Sequence, residues 1–107
     1  MAIIVVKETA MTELNEIKTK LSAHKSELRR KYKVKEIGIF GSYAREDQKE
    51  NSDIDILVTF EKTPGLLKFL ELENHLSDLL GIDVDLVRKE AIRKELKDTI
   101  LKNTVIL

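Results

Sequence analysis

The sequence contains no cysteine and no tryptophan, and only one proline among 107 residues. Without cysteine, disulfides, thiolate nucleophiles and zinc–thiolate sites are excluded. No excess charge of one sign exists either. Lys+Arg and Asp+Glu both total 19, so the formal net charge is zero. A strong nonspecific pull on nucleic acid is therefore not expected, and no direct nucleic-acid binding is predicted. Long hydrophobic runs are missing: every apolar stretch falls far short of the roughly 20 residues a membrane span needs. The start of the chain, Met1 to Val6, is apolar but very short, and Glu8 soon follows the first lysine. It lacks the charged start and small-residue cleavage site of a signal peptide. The cytoplasm is the expected location, with no membrane partner.

What is present fits one small soluble domain spanning residues 1–107, 42% hydrophobic and 36% charged. A chain of this size buries roughly 65% of its unfolded surface, enough for one core without staples. No linker, internal repeat or low-complexity segment interrupts it. The charge is nonetheless uneven. Lys25, Arg29, Arg30, Lys31, Lys33 and Lys35 form a basic run broken by Glu27. Such a run is ordinarily a solvated helix end, where cations favour the C-terminal dipole. The sharper alternative is a docking patch for an anionic partner or substrate.

Residues 1–8 read as a short strand or arm. From Thr9 or Thr12 a helix is expected, with Leu14, Ile17, Leu21, Leu28 and Tyr32 on one apolar face. His24 lies near that stripe as a packing or surface residue. Ile37-Gly38-Ile39-Phe40 is a buried strand that turns sharply at Gly41-Ser42, and a short helical turn follows. Asn51-Ser52 signals a turn, and Asp53 to Phe60 is the clearest strand. Thr63-Pro64 marks a helix start, with threonine as cap and proline at the first position. Leucines fill the helix to Leu80, on more than one side; any surplus left exposed would mark a partner or self-association surface. Gly81 is placed for a left-handed cap. Ile82 to Val87 is a further strand. Lys89 to Lys102 is a charged helix with Ile92, Leu96 and Ile100 inward, and Val105 to Leu107 a last short strand. The class is α+β, a small mixed sheet packed with helices.

The informative anomaly is acid in the strands, where aspartate is depleted. Residues two apart in a strand share a face, so Asp53 and Asp55 converge while Ile54 and Ile56 face the other way. Carboxylates held that close repel, and a divalent cation such as Mg²⁺ or Mn²⁺ relieves the repulsion. Asp83 and Asp85 repeat the spacing. The plain alternative is the solvent face of a sheet. The loop before Asp53 tips the balance. A strand-turn-helix junction at Gly41-Ser42 presents free backbone N–H groups for phosphate. Glycine allows close approach, the Ser42 hydroxyl adds a hydrogen bond, and Arg45 can reach the same anion. Together these describe a metal–nucleotide site.

Ile39-Phe40-Gly41-Ser42-Tyr43-Ala44-Arg45, then Ser52-Asp53-Ile54-Asp55-Ile56-Leu57-Val58, then Val84-Asp85-Leu86-Val87 resemble the signature of the DNA polymerase β-type nucleotidyltransferase superfamily. The likeness is to its minimal nucleotidyltransferase (MNT) domains, and it covers residues 12–107. It implies a polymerase β-like core in which Gly41 and Ser42 bind the triphosphate. Asp53 and Asp55 would hold the metal ions, normally two Mg²⁺. Asp85 matches the third carboxylate, which completes one metal site and helps deprotonate the attacking hydroxyl; Asp83 is its rival. Many relatives carry glycine where this chain has Glu46, which bears on the turn after the phosphate loop. Small stand-alone MNT proteins resemble the MntA-like antitoxins. These transfer AMP from ATP to a tyrosine of a HEPN-domain RNase toxin and thereby neutralise it. The resemblance thus implies an ATP- and Mg²⁺-dependent protein adenylyltransferase with a HEPN partner, and an oligomer with that toxin. The alternatives are an antitoxin that only masks its partner by binding, a small-molecule nucleotidyltransferase, and a structural sheet domain.

Overall fold

The computed structural model describes residues 13–107. The expected strand or arm over residues 1–8 lies outside them. The elements run α1 (Glu13–Ala23), α2 (Lys25–Tyr32), β1 (Val34–Phe40), α3 (Gly41–Arg45), β2 (Ile54–Phe60), α4 (Leu66–Leu80), β3 (Val84–Arg88), a 3₁₀ turn (Lys89–Ala91), α5 (Lys94–Lys102) and β4 (Val105–Ile106). The strands form one sheet of order β3-β2-β1-β4. β1 is antiparallel to β2 and β4, whereas β2 and β3 are parallel. A parallel pair needs a crossover, and α4 supplies it. The sheet is mixed and the class α+β, as expected.

The hydrophobic pattern explains which face is covered. Ile54, Ile56 and Val58 of β2 and Ile39 of β1 are fully buried. They pack with Ile17, Leu21 and Leu28 of the first two helices and with Leu72, Leu76 and Leu80 of α4. Alternation sends Asp55, Leu57 and Thr59 to the opposite face. Leu57 is nonetheless buried, in a groove it shares with Leu101 of α5 and Ile106 of β4. The acidic end of that second face stays open. The outer edge of β3 is closed to further pairing at two amides. Val84 N–H donates to Ser77 Oγ at 3.0 Å and Leu86 N–H to Glu73 Oε2 at 2.9 Å, so α4 side chains protect this edge.

Four details differ from the sequence reading. The expected first helix is two, broken at His24, whose ring Nδ1 lies 2.8 Å from the Lys20 carbonyl. The apolar face continues because the seven-residue step from Leu21 to Leu28 spans the break. α4 begins at Leu66 with Gly65 as its cap, two residues after the expected proline start. The last helix is a 3₁₀ turn followed by α5, and its Leu96 is 49% exposed, not inward. The third strand starts at Val84, not Ile82. Gly81 does take the left-handed cap, with φ +68° and its N–H on the Ser77 carbonyl.

Candidate active site

Strand register assembles the site. Phe40 at the end of β1 pairs with Asp55, and Asp55 pairs with Asp85 across the parallel β2–β3 ladder. Three neighbouring strands therefore bring the Gly41 turn, Asp55 and Asp85 into one line. Asp55 and Asp85 lie close enough to share a hydrogen bond. Asp53, just before β2, acts on Asp55 through its charge. The carboxyl of Asp55 titrates above its ordinary value. Burial is the largest cause, followed by the charges of Asp85 and Asp53; Arg45 opposes them. Asp83 is separated from Asp85 by one residue, is exposed, and gives its backbone carbonyl to Ile54 N–H at 2.9 Å. Register thus places Asp85, rather than Asp83, against Asp55.

Gly41 has φ +71°, and a Cβ there would collide with the Asp55 carboxylate. The backbone turn and the acid occupy adjoining space, so both the conformation and the close approach require glycine. Gly41 opens α3, a helix of only five residues. Its dipole is correspondingly small, so an anion held here would depend on the backbone N–H groups, the half-buried Ser42 and the Arg45 guanidinium. Arg45 Nε donates to Asp47 Oδ2 at 3.1 Å, which holds the guanidinium near the turn. Asp47 N–H in turn bonds the Ser42 carbonyl at 3.0 Å. Glu46, the departure from the glycine of many relatives, takes the same left-handed conformation a glycine would, at φ +60°. The turn is retained, at a backbone cost. Ser52 fixes the loop before Asp53 by accepting from Lys49 N–H at 2.8 Å and donating its own N–H to the Lys49 carbonyl.

Oxygen-only donors and a repelling carboxylate pair beside an open glycine cradle fit a hard divalent cation. Among the described residues, no three His, Cys, Asp or Glu side chains already stand in metal-holding geometry. Register sets Asp55 against Asp85, and Asp53 lies just before β2. Sequence reasoning missed the wall facing the turn. A hollow of about 110 Å³ beside Gly41 and Arg45 is lined on its other side by Thr99 and Ile100 of α5 and by Asn103, which caps it. No local signal could reveal them, since they lie some sixty residues from the Gly-Ser turn. Tyr43 is buried among the core residues, with its phenol pushed up by burial and by Glu13 and Asp53. No helix among the described residues is long and apolar enough to cross a membrane.

The nucleotidyltransferase domain family matches residues 21–107. Protein adenylyltransferase MntA of Thermococcus cleftensis is 53% identical over 90% of this chain and 97% of its own length. A solved minimal nucleotidyltransferase superposes with a TM-score of 0.77 at 31% identity, covering 90% of this chain and 97% of the other. A toxin–antitoxin structure with AMP-PNP matches at TM-score 0.64 and 30% identity, over 87% of this chain and 70% of that one. A tri-AMPylated Shewanella oneidensis HEPN toxin in complex with an MNT antitoxin matches at 0.56 and 26% identity, over 88% and 67%. With the Gly41 turn laid against the Asp55–Asp85 pair, this chain belongs to the nucleotidyltransferase domain family and, within it, to the MntA-type protein adenylyltransferases.

Proposed function

We propose that the chain is an antitoxin that transfers AMP from ATP to a tyrosine of a HEPN-domain partner, in a Mg²⁺-dependent reaction. The observation that carries this reading is the register Phe40–Asp55–Asp85, which sets the Gly41 turn against two facing carboxylates. Gly41, Ser42 and Arg45 would bind the triphosphate. Asp53, Asp55 and Asp85 would hold the metal ions, which neutralise the triphosphate and favour displacement at phosphorus when bound. The tyrosine oxygen forms the new bond to the α-phosphorus as the bond to the bridging oxygen breaks and pyrophosphate leaves. The hydroxyl proton passes to the carboxylate of Asp85. Catalysis is mostly positioning and charge stabilisation. We place the reaction in the cytoplasm and the chain, as one domain, in a complex with its toxin.

The open acidic end of the sheet supports this reading over a purely structural sheet, because Asp55 meets Asp85 where a structural pair would gain nothing from repulsion. The test is intact-mass spectrometry of the HEPN protein co-expressed with this chain, ATP and Mg²⁺. An added AMP mass, lost in D53A/D55A while the complex persists, is the expected result. A stable complex that neutralises the toxin without any mass change would replace this reading with masking by binding. A HEPN protein that neither binds nor changes would redirect the search to small-molecule acceptors.

A further inference from the structure

Two sequence features left unexplained by the site meet at the far end of the sheet. The basic run places Lys31 in the last turn of α2 and Lys33 at its cap, and Pro64 and Gly65 lead into α4. Lys31, Lys33, Lys62 and Lys68 line one hollow of about 250 Å³ there. Two of them lie over the Tyr32 ring, Lys31 Nζ at 5.6 Å and Lys68 Nζ at 5.1 Å from its centroid. The neighbouring acids are already engaged: Arg29 holds Glu61 at 3.0 Å and Lys68 holds Glu71 at 3.3 Å. Among the described residues, no ion pair involves Lys31, Lys33 or Lys62. Around the same first turns of α4, Leu66, Leu67 and Leu70 are 72, 84 and 41% exposed. The buried face of that helix is Leu72, Leu76 and Leu80, so these leucines are surplus to the core.

We infer that this lysine–leucine end is a docking surface for a protein with an acidic rim around an apolar centre, and that this protein is the acceptor itself. The inference rests on the proposed adenylyl transfer to a protein. Exposed leucines next in the chain to a lysine-lined hollow fit an acidic, partly apolar surface better than a nucleic-acid backbone, which offers aliphatic side chains nothing. A second copy of this chain is a poor occupant, since a twofold contact through the patch sets lysines against lysines. From Asp55 to Phe60 the strand advances roughly 17 Å. The patch and the chemistry thus lie at opposite ends of one rigid strand, so an acceptor gripped at the patch is held while its tyrosine is presented at the acids. A chain with no separate acceptor-binding domain among its described residues obtains reach in this way.

The test uses the full chain and its HEPN protein, with two independent variants, L66S/L67S and K31E/K62E. Both change exposed side chains, and unchanged thermal unfolding checks their fold. Steady-state AMP transfer is measured against acceptor concentration, beside direct binding of the HEPN protein. The expected result is a KM for the acceptor raised roughly tenfold or more, with kcat at saturation and the KM for ATP unchanged. Added salt should weaken acceptor binding by the wild type and less so by K31E/K62E. An unchanged acceptor KM in both variants overturns the inference and leaves adenylylation standing. If the wild type binds the HEPN protein without modifying it, adenylylation falls, while weaker binding by the variants still upholds the surface. Binding of an oligouridine RNA that K31E/K62E abolishes, with acceptor binding unmoved, would assign the patch to RNA and overturn the inference.

Discussion

Replacing Asp55 by asparagine should make the protein more stable and inactive at once. Asp55 and Asp85 face each other across adjacent strands, which lie roughly 5 Å apart. Two full charges at that distance repel by about 0.8 kcal/mol at the dielectric of water and about 3 kcal/mol at an effective value of 20. Asp55 is half-buried and Asp85 exposed, so solvent screening holds the repulsion near the lower bound, about 1 kcal/mol. For a domain of this size that corresponds to a rise in Tm of about 4–8 °C. The measurement is thermal unfolding of wild type and D55N at neutral pH in EDTA. The sign with pH follows from the raised Asp55 pKa. Folded Asp55 holds its proton more tightly than the unfolded chain does. The contribution of Asp55 to wild-type stability is therefore fully present below the unfolded value, near 3.9, and that contribution alone is lost as pH rises through the folded pKa. The advantage of D55N should open across that window and close again on acidification. Millimolar Mg²⁺ should raise the Tm of the wild type, by binding the folded state, and leave D55N nearly unmoved. A D55N protein no more stable than wild type at neutral pH in EDTA would refute the electrostatic reading of the pair.

Other substitutions probe the neighbouring parts. G41A should abolish AMP transfer and lower Tm, because the new methyl meets the Asp55 carboxylate at a backbone φ of +71°; unfolding curves and a mass assay read both effects. E46G should stabilise the protein by about 1 kcal/mol, relieving a left-handed non-glycine residue, and denaturant titration would detect it. D85N should remove transfer activity whereas D83N keeps most of it, since register sets Asp85 and not Asp83 beside Asp55; rates of AMP incorporation decide. L76A should cost about 2–5 kcal/mol, because Leu76 is fully buried under the sheet, and chemical denaturation gives the value.

The legible parts of this chain are those fixed by local chemistry. The alternation of Ile54, Ile56 and Val58 with acids marks β2 and its buried face, and Gly81 marks a helix end, because each signal acts within a few residues. The illegible parts depend on contacts distant in sequence. Leu96 reads as a core residue from its helical spacing, yet α5 buries none of its residues fully and leaves Leu96 half in water. The break at His24 is hidden because the apolar repeat stays in phase across it. The choice between Asp83 and Asp85 is undecidable from spacing, since both share one face of the strand. Only the register of a parallel ladder, made possible by the α4 crossover, singles out Asp85 as the partner of Asp55.

That ladder also accounts for how so small a chain assembles its site. A parallel β2–β3 pair aligns the beginnings of two strands, where Asp55 and Asp85 sit, while antiparallel β1 delivers its end, Phe40-Gly41, to the same line. One mixed sheet thus collects three separate stretches of sequence at one edge with no additional scaffold. The cost is a repulsive carboxylate pair and a left-handed Glu46, both at the site and both absent from the core. The far end of the same strands carries no carboxylate pair, and its left-handed residue, Lys33 at φ +62°, caps α2; the exposed side chains around it are free to vary in charge and apolar content. Residues that tune partner choice can therefore change there, at Lys31, Lys62, Leu66 and Leu67, without moving the acids by which the chemistry would be done.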